Sequence, residues 1–184
     1  MKEFLKGWYV IYVRSRHEKK VRDALTDAKI ECFLPLVKSE SIWSDRKKML
    51  LKPLFPSYVF AYISNKQEFY KAQNANGFCY FVSFNSAYAL ARNEEILQIK
   101  KLLNAEGIAY IQAMNKPLSV GEQVQIDEGP LAGLRCEIVR VDKQEKLLVR
   151  LNSIHQNLLV SVPQKAVLSN TPSLTHQPKL NKVS

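Results

Sequence analysis

An α+β chain of two units, an antiparallel sheet with helices followed by a small β-barrel, is predicted by three features of the sequence. The aromatic and β-branched run Trp8-Tyr9-Val10-Ile11-Tyr12-Val13 reads as a central strand leading straight into a helical pattern. The stretch Pro53-Leu54-Phe55-Pro56-Ser57-Tyr58-Val59-Phe60-Ala61-Tyr62 begins as a proline turn and ends as a strand apolar on both faces. From Leu118 onward the composition changes to short strands between turns, the pattern of a small barrel. With 184 residues there is room for one medium domain or two small ones, each with a core.

Taken in order, the first strand is followed by Ser15-Arg16-His17-Glu18, an S-x-x-E capping box, and by Val21, Ala24, Leu25 and Ala28 on one helical face. Glu31 to Pro35 reads as a second strand, and Ser39 to Leu54 as a hairpin with its tip near Ser44-Asp45-Arg46. Pro53 and Pro56 withhold two backbone donors, so Leu54 and Phe55 belong at a strand's entrance. That entrance is either a core strand behind a turn or an exposed aromatic edge that docks a protein. Ser64-Asn65-Lys66-Gln67 repeats the capping pattern before a short helix ending at Asn76-Gly77, where left-handed backbone is cheap. Phe78 to Phe84 is a further strand, and Asn93 caps a last helix carrying Ile96, Leu97, Ile99, Leu102 and Leu103. Residues 7–104 form the first unit and 105–117 an irregular linker with Gly107, Asn115 and Pro117. The barrel occupies 118–168, with strands Gln123 to Ile126, Arg135 to Val141, Lys146 to Leu151 and Leu158 to Val162. A disordered tail is expected over 169–184, where Pro, Ser, Thr and Lys are scattered.

A formal charge of +10 points to polyanionic partners, nucleic acid first and a membrane surface behind it, because cations placed at phosphates release condensed counterions. Arg14, Arg16, Lys19, Lys20 and Arg22 gather at the strand-to-helix corner, and Arg46, Lys47 and Lys48 at the hairpin tip. The corner suits phosphate contact and equally a solvated helix face. No apolar run approaches a membrane span and the N-terminus lacks a secretion signal, so a cytoplasmic protein is expected. Cys32, Cys79 and Cys136 are too scattered for a disulfide framework or zinc knuckle, as are His17, His155 and His176 for a metal pair. Asp23 with Asp27, and Ser153 with His155, are close in sequence, but no third catalytic group accompanies either pair. No enzyme, cofactor or metal is expected.

Three motifs in order, Trp8-Tyr9, then Phe55-Pro56-Ser57-Tyr58-Val59, then Val120 to Val124 followed by Asp127-Glu128-Gly129-Pro130-Leu131-Ala132-Gly133, resemble the NusG-type transcription elongation factors. In that family an N-terminal, RNP-like NGN domain is joined to a C-terminal, SH3-like KOW barrel. Arg14 to Lys20, and Trp43 to Lys48, resemble the specialised UpxY-type antiterminators, with RfaH a more distant relative. The resemblance implies antitermination on a few long operons, often for surface polysaccharide synthesis. It implies that Trp8, Tyr9, Tyr12, Phe55, Pro56 and Tyr58 grip the clamp helices of the largest RNA polymerase subunit. Trp8 and Tyr58 also suit a core, so Tyr12, Phe55 and Pro56 are expected to lead that contact.

By the same resemblance Arg14, Arg16, Lys19, Lys20 and Arg22 face the non-template DNA strand, and the barrel recruits another factor or masks the aromatic patch. Three positions depart from the pattern. Glu68-Phe69-Tyr70-Lys71 replaces a His-Thr-rich element that makes a second polymerase contact, and Cys136 replaces a glycine, which implies ordinary β backbone there. Ser153-Ile154-His155-Gln156-Asn157 lacks the aromatic and arginine with which housekeeping NusG engages Rho or a ribosomal protein, so neither partner is carried over. The rival readings are a housekeeping NusG and an RNA- or ribosome-binding protein working through its barrel; the latter expects the basic residues there.

Overall fold

The alternation of side chains along one strand sets the layers. The computed structural model describes residues 2–43, 46–105, 110–114, 122–125, 131–141 and 144–161. In chain order they form β1 (Gly7–Val13), α1 (Glu18–Asp27), β2 (Cys32–Phe33), β3 (Leu36–Trp43), β4 (Arg46–Pro53), β5 (Tyr58–Ile63), α2 (Lys66–Gln73), β6 (Phe78–Phe81), β7 (Ser83–Phe84), β8 (Ala87–Tyr88) and β9 (Leu90–Ala91). Helix α3 (Asn93–Asn104) follows, then β10 (Tyr110–Met114), β11 (Glu122–Gln125), β12 (Arg135–Val141), β13 (Gln144–Leu151), a 3-10 turn (Asn152–Ile154) and β14 (Gln156–Ser161). The first sheet runs β2-β5-β1-β6, with β9 sharing the β6 edge of β1, and every pairing is antiparallel.

Tyr9, Ile11 and Val13 of β1 lie on the face covered by Val21 and Leu25 of α1 and Phe69 and Ala72 of α2. Trp8 and Val10 lie on the opposite face, in one core with Phe60 of β5 and Ile96, Ile99 and Leu102 of α3. Central strands β1 and β5 are thus buried on both sides, which explains why their sequences are continuous apolar runs.

The core beneath α3 continues into the second unit through Leu131, Leu134, Ile154 and Leu158. That unit is a five-stranded antiparallel sheet, β10-β14-β13-β12-β11, and its end strands β10 and β11 are not paired with each other among the described residues. The expected linker contains β10, paired from Tyr110↔Ser161 to Met114↔Asn157, because Tyr110, Ile111 and Met114 have partners in β14 that no local signal announces. The expected hairpin forms as β3 and β4, eight residues each, closed at Trp43↔Arg46 and beginning earlier than expected, at Leu36↔Pro53. Its tip residues Ser44 and Asp45, the turn at 127–130, part of the expected linker and the expected tail at 169–184 lie outside the described residues.

Local capping differs from the sequence pattern in instructive ways. Helix α1 begins at Glu18 with His17 as N-cap and no side-chain cap, because Arg16 is left-handed (φ 63°) and the Glu18 carboxylate bonds elsewhere. The capping box at α2 is built by Asn65 and Glu68: the Glu68 amide donates to Asn65 Oδ1 (2.9 Å), and the Ser64 amide to Glu68 Oε2 (2.7 Å). The strand expected over Phe78 to Phe84 breaks at Val82, and Ser83–Phe84 turns into a separate two-stranded hairpin with β8. Among the described residues no helix is long and apolar enough to cross a membrane.

Candidate functional site

One end of the first sheet carries an aromatic row. Tyr12 on β1 is in register with Tyr58 on β5 and Tyr80 on β6, so all three phenols occupy one face. The Tyr12 and Tyr80 rings stack at 5.0 Å, and Tyr58 meets Tyr12 edge-on at 5.4 Å. Burial, then the neighbouring Tyr80 and Tyr12 phenols, push the Tyr58 hydroxyl above its ordinary pKa. Tyr80 is 53% exposed, which makes it the most open member of the row. Sequence reasoning missed it; the period-2 pattern of Phe78-Cys79-Tyr80-Phe81 was the available signal, and it needed the register of β6 against β1 to be useful.

The six aromatic and proline positions expected to form one surface do not do so in this arrangement. Tyr9 lies on the other face of β1, wholly buried, with its hydroxyl donating to the Leu5 carbonyl (2.7 Å), since adjacent strand residues point to opposite sides. Trp8 is buried beside Tyr62, with the Lys100 ammonium 5.6 Å from its ring. Phe55 is 2% exposed and packs edge-on against Phe60 (5.8 Å) under the second unit. Tyr12, Tyr58 and exposed Pro56 stay together at the open end, joined by Tyr80. A cleft of about 240 Å³ separates Val10, Phe55, Phe60 and Val82 on one side from Ile154 and His155 on the other.

Two turns at the same sheet end hold the basic corner against the aromatic row. Arg14–His17 is closed by the His17 amide donating to the Arg14 carbonyl (3.0 Å), with Arg16 left-handed at its third position. Phe55–Tyr58 is closed by the Tyr58 amide donating to the Phe55 carbonyl (3.2 Å), with Ser57 left-handed (φ 65°). Such a conformation costs a non-glycine residue about 1–2 kcal/mol, and this third position is where type II turns favour glycine. Arg14, Arg16, Lys19 and Lys20 are exposed. Arg22 is partly buried and paired with Asp23 (2.6 Å), so its charge is already engaged. Arg46, Lys47 and Lys48 belong to β4 on a separate two-stranded ribbon; their side chains lie outside the described residues.

The contacts between the units centre on α3. The Glu95 carboxylate is buried and accepts hydrogen bonds from the Arg92 amide (2.9 Å), the Ser153 amide (3.1 Å) and the Ser153 hydroxyl. At the other end of the helix the Lys101 ammonium donates to the Ala132 carbonyl (2.5 Å). Left-handed His155 stacks on Phe84 at 4.0 Å. Ser153 and His155 thus make domain contacts. Cys136 sits in β12 opposite Val124 in ordinary strand backbone, and burial, then the adjacent Glu137 charge, push its thiol up to about 11. Arg150 binds Glu137 through two hydrogen bonds (2.5 and 2.8 Å), which raise the guanidinium pKa further. No group of three or more metal-ligating side chains occurs among the described residues.

Fold and surface describe a two-unit protein whose first sheet ends in aromatic and basic groups suited to macromolecular contact. Residues 6–100, more than half of the chain, match the family described as transcription termination factor nusG. The chain belongs to the NusG family of transcription factors. It is 26% identical over 170 residues to the transcription termination/antitermination protein NusG of Staphylococcus epidermidis, covering 85% of this chain and 92% of that one. NusG of Rickettsia typhi is 23% identical over 157 residues, covering 80% and 81%. A solved structure described as domain interaction in Thermotoga maritima NusG has the same fold, with a TM-score of 0.51, 21% identity and coverage of 86% and 94%.

Proposed function

We propose that this chain is a specialised antitermination factor that docks on the RNA polymerase clamp through its first unit, an NGN domain. It keeps the enzyme elongating along particular long operons, with surface polysaccharide synthesis the target class. The observation that carries this reading is the convergence of Tyr12, Tyr58, Tyr80 and Pro56 with exposed Arg14 and Arg16 at one sheet end. Aromatics supply large contact area at low entropic cost, and the arginines beside them attract the phosphates of an exposed non-template strand. A factor that binds the closed clamp better than the open one shifts that equilibrium by its differential affinity, and about 1.4 kcal/mol changes the ratio tenfold.

The second unit is read as a KOW barrel with a partner of its own. It also covers Phe55 and Val10, so docking by the whole aromatic face requires it to move aside. The Ser153 to Asn157 turn favours the specialised reading over a housekeeping one, because it carries no aromatic or arginine for Rho and His155 is stacked on Phe84. Multi-gene transcription assays with the polymerase of the source organism test this. The protein is expected to raise read-through on the leader of its own operon and to leave unrelated templates unchanged. An equal effect on every template would identify a housekeeping factor, and no effect on any would remove antitermination.

A further inference from the structure

We propose that Glu18 is a positioning residue that joins the basic corner to the aromatic row, so that the docking surface assigned under the proposed function is presented as one unit; this rests on that reading. Glu18 is only 7% exposed, and its carboxylate accepts a hydrogen bond from the Ser57 amide at 2.9 Å, across 39 residues of sequence. It is the residue immediately after the Arg14–His17 turn, and Ser57 is the left-handed residue of the Phe55–Tyr58 turn. One buried carboxylate therefore pins a strained turn bearing Pro56 to the strained turn bearing Arg14 and Arg16.

Two further bonds close the arrangement. The Val13 amide donates to the Ser57 carbonyl (2.9 Å), and the Arg14 amide to the carbonyl of Gly77 (2.9 Å). Gly77 backs onto His17 so tightly that a Cβ there would lie 2.8 Å from the His17 Cβ. Three turns from distant parts of the chain thus meet around the start of α1, and Glu18 is the side chain that ties the proline turn to it. Strained non-glycine turns persist where their surroundings over-determine them, and they concentrate where a surface must be pre-organised. A hydrogen bond from an amide to a buried carboxylate is among the stronger ones available for that task. The S-x-x-E pattern thus does something other than cap: its glutamate reaches across the sheet to the proline turn.

The test uses the full chain and an elongation complex assembled from RNA polymerase on a scaffold with an unpaired non-template strand. Four proteins are compared with wild type: Glu18→Ala, Glu18→Gln, Ser57→Gly, and Glu18→Ala combined with Ser57→Gly. Glu18→Ala is expected to weaken binding about tenfold and to move the residue 57 amide proton resonance upfield, with Glu18→Gln in between because its carbonyl still accepts. Glycine at 57 needs no external support for positive φ, so the double variant is expected to recover most of the affinity. A helix cap or a direct ligand contact would not be rescued in this way. Thermal unfolding keeps the comparison among folded proteins. Unchanged binding by Glu18→Ala, or a loss that Ser57→Gly fails to rescue, overturns the positioning role. Absence of binding by wild type overturns the functional reading and this proposal with it, whatever the amide resonance shows.

Discussion

Gly77 is the tightest backbone position at the site. With φ at +103° and no space for a Cβ beside His17, Gly77→Ala is expected to cost about 1–3 kcal/mol and to lower the melting temperature in calorimetry. Cys136 gives a pH-dependent prediction. Its folded thiol ionises near 11, above the unfolded value of 9.0, so the unfolded chain loses its proton first as pH rises. Stability contributed by the buried neutral thiol is complete below about pH 9 and is lost between there and about pH 11. Cys136→Ala is expected to flatten that part of the stability profile measured by denaturant titration, and a slope equal to wild type would contradict it. At pH 8, alkylation of the native protein should reach exposed Cys79 and spare Cys136. The positive φ at Gly77 could be read from Asn76-Gly77, and the ordinary strand backbone of Cys136 from its side chain. Left-handed Arg16 and Ser57 could not, because neither is a residue that favours that region, and Ser57 is held by bonds to Glu18 and to Val13 of β1 from distant parts of the chain.

At the scale of elements, α3 is the joint of the molecule. Its apolar stripe faces the shared core, and its polar ends reach the second unit through Glu95 and Lys101. Removing Glu95 leaves the Ser153 amide and hydroxyl without this acceptor, so Glu95→Ala is expected to weaken the association of the units by about 1–3 kcal/mol. Small-angle scattering should register a larger radius of gyration for that variant, and an unchanged profile would show that the apolar contacts suffice alone. Long periodic elements were legible in the sequence: β1, β5, α1, α2, α3 and the β3–β4 ribbon all follow from apolar period and turn residues. The short strands β8 and β9 and strand β10 were not, because two to five residues carry no period and their pairing partners are distant. The same limit hid Tyr80, whose place beside Tyr12 depends on register; the separation of Tyr9 from Tyr12 was legible, because three positions along one strand lead to opposite faces.

For the whole molecule, the proposed contact with a nucleic-acid-bearing complex is expected to depend on salt, given the charge of +10 and the exposed Arg14, Arg16, Lys19 and Lys20. Arg16→Ala is expected to weaken affinity at low salt and to reduce the slope of log affinity against log salt, measured across a salt series. The division into an N-terminal sheet with helices and a C-terminal sheet was visible in composition, whereas the apolar contact between them was not, since Phe55 and Ile154 look like any core residues until they meet. The open tyrosine end of the first sheet is the surface proposed to dock on the polymerase. The most direct test of that role is a titration of the full chain against assembled elongation complexes, comparing wild type with Tyr12→Ala, Tyr80→Ala and Leu5→Ala, the last an exposed residue just before β1, at the opposite end of that strand from Tyr12. Saturable binding is expected, weakened about tenfold by either substitution in the row and unaffected by Leu5→Ala. Equal binding by all four proteins, or no saturable binding by wild type, would contradict it.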